Sequence, residues 1–150
     1  MHPRPGAADM VALGAGAALP LAFAPFGLFP LAYLAPAVLF LLWFEGSPAR
    51  AAWRGFLFGL GMFGVGVSWV YISLHNFGHM PAPLATLATF LFIVVLALYP
   101  ALLGFIQARW LDRRRPTHAL LVLPALWVLF EWIRSWFLSG FPWLNLGYSQ

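Results

Sequence analysis

The chain has 150 residues, of which 63% are apolar, 18% aromatic and only 8% charged, with a formal net charge of +4. A soluble domain averages about 25% charged and 45–50% apolar residues, which excludes an ordinary cytosolic globule. The surplus charge does not mark a nucleic-acid binder either, because the arginines are dispersed over short connections rather than gathered on one phosphate-tracking face.

Long apolar runs cover residues 10–26, 28–44, 55–74, 84–106 and 119–138. Most are close to the roughly 20 residues that span a bilayer's hydrocarbon. The pattern predicts an all-α, multi-pass transmembrane helical bundle of about five spans. Pro20 and Pro25 should bend the first run, and Ala22-Phe23-Ala24 resembles a small-x-small signal cleavage site. Pro25 would then be the first mature residue and fits a peptidase poorly, so the run reads as a retained span. In the second run Pro30 is tolerated near the start, Pro36 should kink the helix, and Glu45-Gly46-Ser47-Pro48 forms the following turn.

The third run carries Gly55, Gly59, Gly61, Gly64 and Gly66. In lipid the missing side chains let another helix approach closely, and Gly55 with Gly59 make a small-xxx-small pair, so this span belongs at the centre of the bundle. Gly59-Leu60-Gly61-Met62-Phe63-Gly64 also matches a dinucleotide fingerprint, but no strand precedes it and no acidic residue follows at the required distance. His75 and His79 stand four apart, yet Gly78, Pro81 and Pro83 break the loop and no carboxylate or cysteine is near, so no metal site is assigned. The fourth run is the most purely apolar and reads as a lipid-facing or structural helix. Arg113-Arg114-Arg115 after it could meet anionic headgroups, although such clusters ordinarily only fix topology.

Alternating the ends puts Arg4, Arg50, Arg54, Arg109, Arg113, Arg114 and Arg115 on one side. The positive-inside rule makes that side cytoplasmic, together with the N-terminus. Gly27, the loop 75–83 and the tail 139–150 fall opposite, without a Lys, Arg, Asp or Glu among them.

Glu131 and Arg134 are the charges placed inside a span, three apart and so on one helical face. Intramembrane ionisable residues face a cavity or a partner. Two readings stay open: a polar floor beneath an external site, or a mutual ion pair that lets the helix end near headgroups. Trp127, Trp132, Trp136, Phe137, Phe141, Trp143 and Tyr148 crowd the exit of that run. An aromatic belt is the default at such a level. Gly140 and Pro142 nevertheless break the helix while still at headgroup depth, where irregular backbone must be buried or line a cavity. An aromatic-lined opening able to admit acyl chains is the sharper reading.

Phe23-Ala24-Pro25-Phe26, Gly66-Val67-Ser68-Trp69-Val70-Tyr71, Phe77-Gly78-His79-Met80-Pro81 and, above all, Glu131-Trp132-Ile133-Arg134 through Gly140-Phe141-Pro142-Trp143-Leu144 to Gly147-Tyr148-Ser149-Gln150 closely resemble the membrane domain of bacterial apolipoprotein N-acyltransferases. The resemblance implies a multi-pass protein of the bacterial inner membrane. It also implies transfer of an acyl chain from a membrane phospholipid to the α-amino group of a diacylglyceryl-cysteine at a lipoprotein's N-terminus, with no cofactor. Family members carry a periplasmic nitrilase-like domain whose Glu, Lys and Cys act as base, stabiliser and nucleophile. This chain has neither Cys nor Lys, so no catalytic residue is carried over, and residues 1–150 read as part of the membrane domain without the nitrilase-like portion. What transfers is a substrate-entry role: Trp143 and Tyr148 at the mouth with Phe141, and Glu131 and Arg134 beneath. The fragment would then anchor and admit lipid, with the loop 75–83 and the C-terminal tail periplasmic. A non-enzymatic membrane scaffold, a transporter fragment, or a membrane half fused to a sugar transferase acting on polyprenyl phosphate are the competing readings.

Overall fold

Glycine decides how these helices meet. In the computed structural model, which describes residues 5–112, 115–137 and 140–149, the helices are α1 (Pro5–Ala18), α2 (Leu31–Phe44), α3 (Pro48–Gly66), α4 (Trp69–Ile72), α5 (Ala82–Trp110) and α6 (Leu123–Trp136). The described residues contain no strand. Arg4, Arg113, Arg114, Leu138, Ser139 and Gln150 lie outside them.

α3 lies between α1 and α5. A Cβ on Gly55 would stand 2.3 Å from the Pro100 carbonyl oxygen, and one on Gly59 would stand 2.6 Å from Ala97 Cα. On the opposite side, Gly16 of α1 and Gly61 of α3 press against the Phe58 and Leu13 carbonyls at 2.0 and 2.3 Å by the same measure. The central position expected of the glycine-rich run is therefore observed. α5 meets α3 along its small-residue stripe and exposes Leu84, Leu87, Phe90, Leu91, Leu98 and Leu102 on its other face.

The contacts also fix direction. Gly55 meets Pro100 and Gly59 meets Ala97, so α3 and α5 are antiparallel. Asp9 meets Arg54 and Gly16 meets Phe58, so α1 runs parallel to α3. Phe58 packs on Trp127 and Phe63 on Arg134, which makes α6 parallel to α3 as well. One end of the bundle thus gathers Asp9, Trp43, Arg54 and Gly104, and the other gathers Gly66, Trp69, Trp143 and Leu144. Between them lies a core that includes Leu39, Phe58, Phe63, Leu103 and Leu123.

Several elements differ from the sequence expectation. By length and composition, Ala82–Trp110 and His118–Trp136 can each cross a membrane, and Pro48–Gly66 with Trp69–Phe77 makes a third if the pair, bent by 48°, acts as one span. The first two runs form shorter helices, Gly6–Ala22 and Leu31–Phe44. Fourteen residues rise only about 21 Å. Proline is the reason: Pro20 opens a 3-10 turn at Leu19–Ala22, and Pro30 delays the next helix to Leu31, which then continues through Pro36. The third run starts earlier than expected, at Pro48, because Ser47 caps it by accepting from the Arg50 N–H at 3.4 Å. Arg54 needs the plainest correction. It is not a loop arginine but lies inside α3, 2% exposed, with Nε 3.5 Å from Asp9 Oδ1 and Nη1 donating to the Leu42 carbonyl at 2.5 Å.

Candidate functional site

Helix α6 ends in a loop, residues 140–149, whose path is dictated from beneath. Gly140 takes φ +72°, the left-handed region open to glycine, and a Cβ there would stand 2.2 Å from the Ser135 carbonyl oxygen. The chain turns back at once, with Phe141 N donating to the Arg134 carbonyl at 2.9 Å.

Arg134 is the anchor. Its Nη1 donates to the carbonyls of Phe141 at 2.8 Å and Trp143 at 2.6 Å, and its Nη2 donates to Asn145 Oδ1. The guanidinium also lies 5.2 Å from the Phe63 ring centroid, a cation–π distance. Glu131 Oε1 accepts from Trp127 Nε1 and from the Leu146 N–H, each at 3.0 Å. Asn145 Nδ2 donates to Ser135 Oγ at 3.0 Å, and that hydroxyl donates to the Glu131 carbonyl at 2.8 Å. Glu131 and Arg134 therefore hold one loop by its backbone. Among the described residues, ion pairs join Asp9 to Arg54 and Asp112 to Arg115, and Arg134 has no carboxylate at ion-pair distance.

Leu144 completes the attachment. It adopts φ 59°, costly for a leucine, and its buried side chain fills the place of a side chain on Gly66: a Cβ there would stand 2.3 Å from Leu144 Cδ1. The loop is thus pinned to α6 by hydrogen bonds and to α3 by a knob over a glycine.

The pinning distributes the rings to two sides. Trp143 and Tyr148, 50% and 68% exposed, face a cavity of about 610 Å³ whose other walls are Phe23, Phe26, Val65 and Trp69. The Trp69 and Trp143 rings lie 5.4 Å apart. Phe141 turns the other way, packing edge-on against Phe92 at 4.9 Å. It lines a separate cavity of about 540 Å³ with Tyr99, Arg134 and Phe137. Of the five residues singled out from sequence, then, Trp143 and Tyr148 share a cavity, Phe141 belongs to another, and Glu131 and Arg134 act on the loop's backbone.

Elsewhere, His75 bonds through Nδ1 to the Met80 carbonyl at 2.8 Å and stacks on Tyr71. Among the described residues, no three of His, Asp and Glu gather as a metal site would require. Sequence reasoning passed over Asn145, which links Arg134 to Ser135, and gave Phe23 and Phe26, residues of a segment that carries the family resemblance, no place in the site. Asn145 had one available signal, a polar amide in an otherwise apolar stretch, within reach of an intramembrane arginine.

Comparison with known proteins places this geometry. The model of the apolipoprotein N-acyltransferase N-terminal domain matches residues 15–150. The chain is 52% identical over 143 residues to the apolipoprotein N-acyltransferase of Coxiella burnetii, covering 95% of this chain and 30% of that protein. It is 48% identical over 143 residues to the one of Methylococcus capsulatus, covering 95% and 28%. With the one of Azotobacter vinelandii it shares 48% identity over 149 residues, covering 98% and 29%. The chain therefore spans less than a third of the length of these curated relatives. Its match to the family model over almost its whole length shows that it belongs to the apolipoprotein N-acyltransferase N-terminal domain family.

Proposed function

We propose that this chain is the membrane portion of an apolipoprotein N-acyltransferase of the bacterial inner membrane, an enzyme moving an acyl chain from a phospholipid to the N-terminal diacylglyceryl-cysteine of a lipoprotein. In this reading the end with Arg50 and Arg109 faces the cytosol, and the loop 75–83 and the 140–149 rim face the periplasm. All five runs then cross the bilayer, the two short ones with local thinning of the membrane. The chain supplies no thiol or lysine, so its part is anchoring and lipid admission while the bond-making groups belong to the rest of the enzyme.

The observation that supports this most is the cavity of about 610 Å³ walled by Phe23, Phe26, Val65, Trp69, Trp143 and Tyr148. An apolar opening next to irregular backbone at headgroup depth suits an acyl chain entering from lipid. Two half-exposed tryptophans at its edge supply amphipathic rings at the level where headgroup meets hydrocarbon.

The test is Trp143→Ala in the intact enzyme, with N-acylation of a diacylglyceryl lipopeptide followed by mass spectrometry. Removing roughly 60 Å² of apolar contact costs about 1.5 kcal/mol at ~25 cal/mol per Å². That is about a tenfold rise in KM for phospholipid, with kcat little changed. A KM equal to that of the unaltered enzyme would refute lipid admission past Trp143.

A further inference from the structure

The break in the third span leaves polar backbone at the outside of the bundle. α3 ends at Gly66 and α4 begins at Trp69, with a bend of 48° between Pro48–Gly66 and Trp69–Phe77. Ser68 lies exposed at the bend, its Oγ donating to the Val65 carbonyl at 3.2 Å. Irregular backbone at membrane depth has two permitted surroundings, protein or a water-filled cavity. The exposure of Ser68 leaves the second.

A cavity of about 440 Å³ opens at that bend, between α4 and α5, lined by Ser68, Tyr71, Thr86, Thr89, Phe90 and Ile93. Hydroxyls dominate its wall, and α5 places both of its threonines there. Thr86 Oγ1 donates to the Ala82 carbonyl at 2.9 Å. Like Ser68, it has spent its proton and presents lone pairs. Thr89 is 7% exposed, and its Oγ1 has no hydrogen-bond partner among the described residues, whereas a buried hydroxyl ordinarily bonds to protein or to ordered water. No charged side chain is among the described lining residues. A wall of neutral acceptors with one uncommitted hydroxyl suits a neutral guest that donates hydrogen bonds. Water is the smallest such guest, and at about 30 Å³ for each molecule several fit.

The cavity also reaches below the headgroups. The 29 residues of α5 rise about 43 Å at 1.5 Å per residue, against roughly 30 Å of hydrocarbon, so a centred helix overhangs by a few ångströms at each end. Thr86 and Ile93 stand about 6 and 16 Å along the helix from Ala82, which carries the lining from the hydrocarbon boundary well into the oil.

We propose that the α4/α5 cavity is a water-filled vestibule, entered from the end of the bundle that carries the 140–149 loop and reaching Thr89 at hydrocarbon depth. It solvates the break at Ser68 and gives the Thr89 hydroxyl its partner. The proposal takes from the reading above the bilayer setting of these helices and is independent of acyl transfer.

The experiment uses the intact protein in phosphatidylcholine nanodiscs, exposed to brief X-ray pulses that split water into hydroxyl radicals. Oxidised side chains are quantified by peptide mass spectrometry, each rate being normalised to that of the same residue in the denatured protein. The radicals react where water sits. Tyr71 and Phe90 should therefore be oxidised several-fold faster than Phe105, an exposed ring on the same helix that lines no part of the cavity. Thr86→Val combined with Thr89→Val keeps the shape of the wall and removes two hydroxyls. The rates at Tyr71 and Phe90 should then fall to that of Phe105, because a cavity lined by apolar groups stays dry. Thr86→Ser combined with Thr89→Ser retains the hydroxyls and should retain the labelling. Equal rates at Phe90 and Phe105 in the unaltered protein would mean that lipid chains fill the cavity, and undiminished labelling in the double valine variant would mean that the threonines hold no water; either result overturns the assignment. Because the readout is hydration, its failure leaves the Trp143 kinetics untouched, and the reverse holds too.

Discussion

Two glycines five residues apart on the same helix should respond to alanine with opposite signs. A Cβ at position 59 would stand 2.6 Å from Ala97 Cα, whereas contact without strain begins near 3.4 Å. The shortfall is 0.8 Å, from 3.4 less 2.6. Because the atom met is backbone, α3 and α5 must separate by most of that distance. A gap of 0.5–1 Å forfeits about a quarter to a half of each dispersion contact across the seam, and overpacking of a close-packed interior costs about 1–3 kcal/mol. Alanine's helix propensity returns at most about 1 kcal/mol over glycine, so Gly59→Ala should be destabilising by up to about 2 kcal/mol. At Gly64 nothing lies within 4 Å of the added carbon, so Gly64→Ala keeps the propensity gain of up to about 1 kcal/mol with no opposing clash. The assay is reversible unfolding in mixed micelles by titration with a denaturing detergent, following tryptophan fluorescence. Equal stability of the two variants would refute the close approach of α3 and α5.

Other expectations follow from the polar anchors. Arg134→Lys retains charge but cannot reproduce the planar fork that meets the Phe141 and Trp143 carbonyls together; the loss of at least one of these bonds to buried acceptors, about 1–3 kcal/mol, should appear as faster proteolysis within residues 140–149, and an unchanged cleavage rate would count against the anchor. Asp9→Ala leaves the Arg54 guanidinium buried without its carboxylate, a loss of about 3 kcal/mol. Adding Arg54→Leu should recover a large part of that loss, and strict additivity of the two changes in a double-mutant cycle would show that the pair is not coupled.

How much of this was legible in the sequence depends on what kind of contact carries the structure. Backbone-to-backbone approach was legible, because only glycine permits it: the density of Gly55, Gly59 and Gly61 announced the helix that the others surround. Charge inside an apolar run was legible too, since the spacing of Glu131 and Arg134 put them on one face. What they hold was not, because both spend hydrogen bonds on main-chain groups of residues 141, 143 and 146, and every residue has such groups whatever its side chain. Arg54 misled for a related reason. An arginine near a turn at the basic end of a span satisfies the positive-inside pattern equally well exposed or buried, and only its neighbour Asp9, 45 positions earlier, distinguishes the two.

Leu144 marks where sequence reasoning stops and packing takes over. Nothing about leucine favours a left-handed backbone, and the φ of 59° has a cost that must be offset by what its side chain reaches. Gly66 supplies that compensation by leaving a hollow on α3 of the right size, at the point where the helix gives way to the bend before Trp69. The same two residues border the Trp143 cavity. The knob therefore does more than fasten a loop: it sets the distance between Trp143 and Trp69, and with it the width of the opening. Arg134 holds the same loop from the opposite flank, beside the Phe141 cavity, so one short segment forms a wall of both cavities.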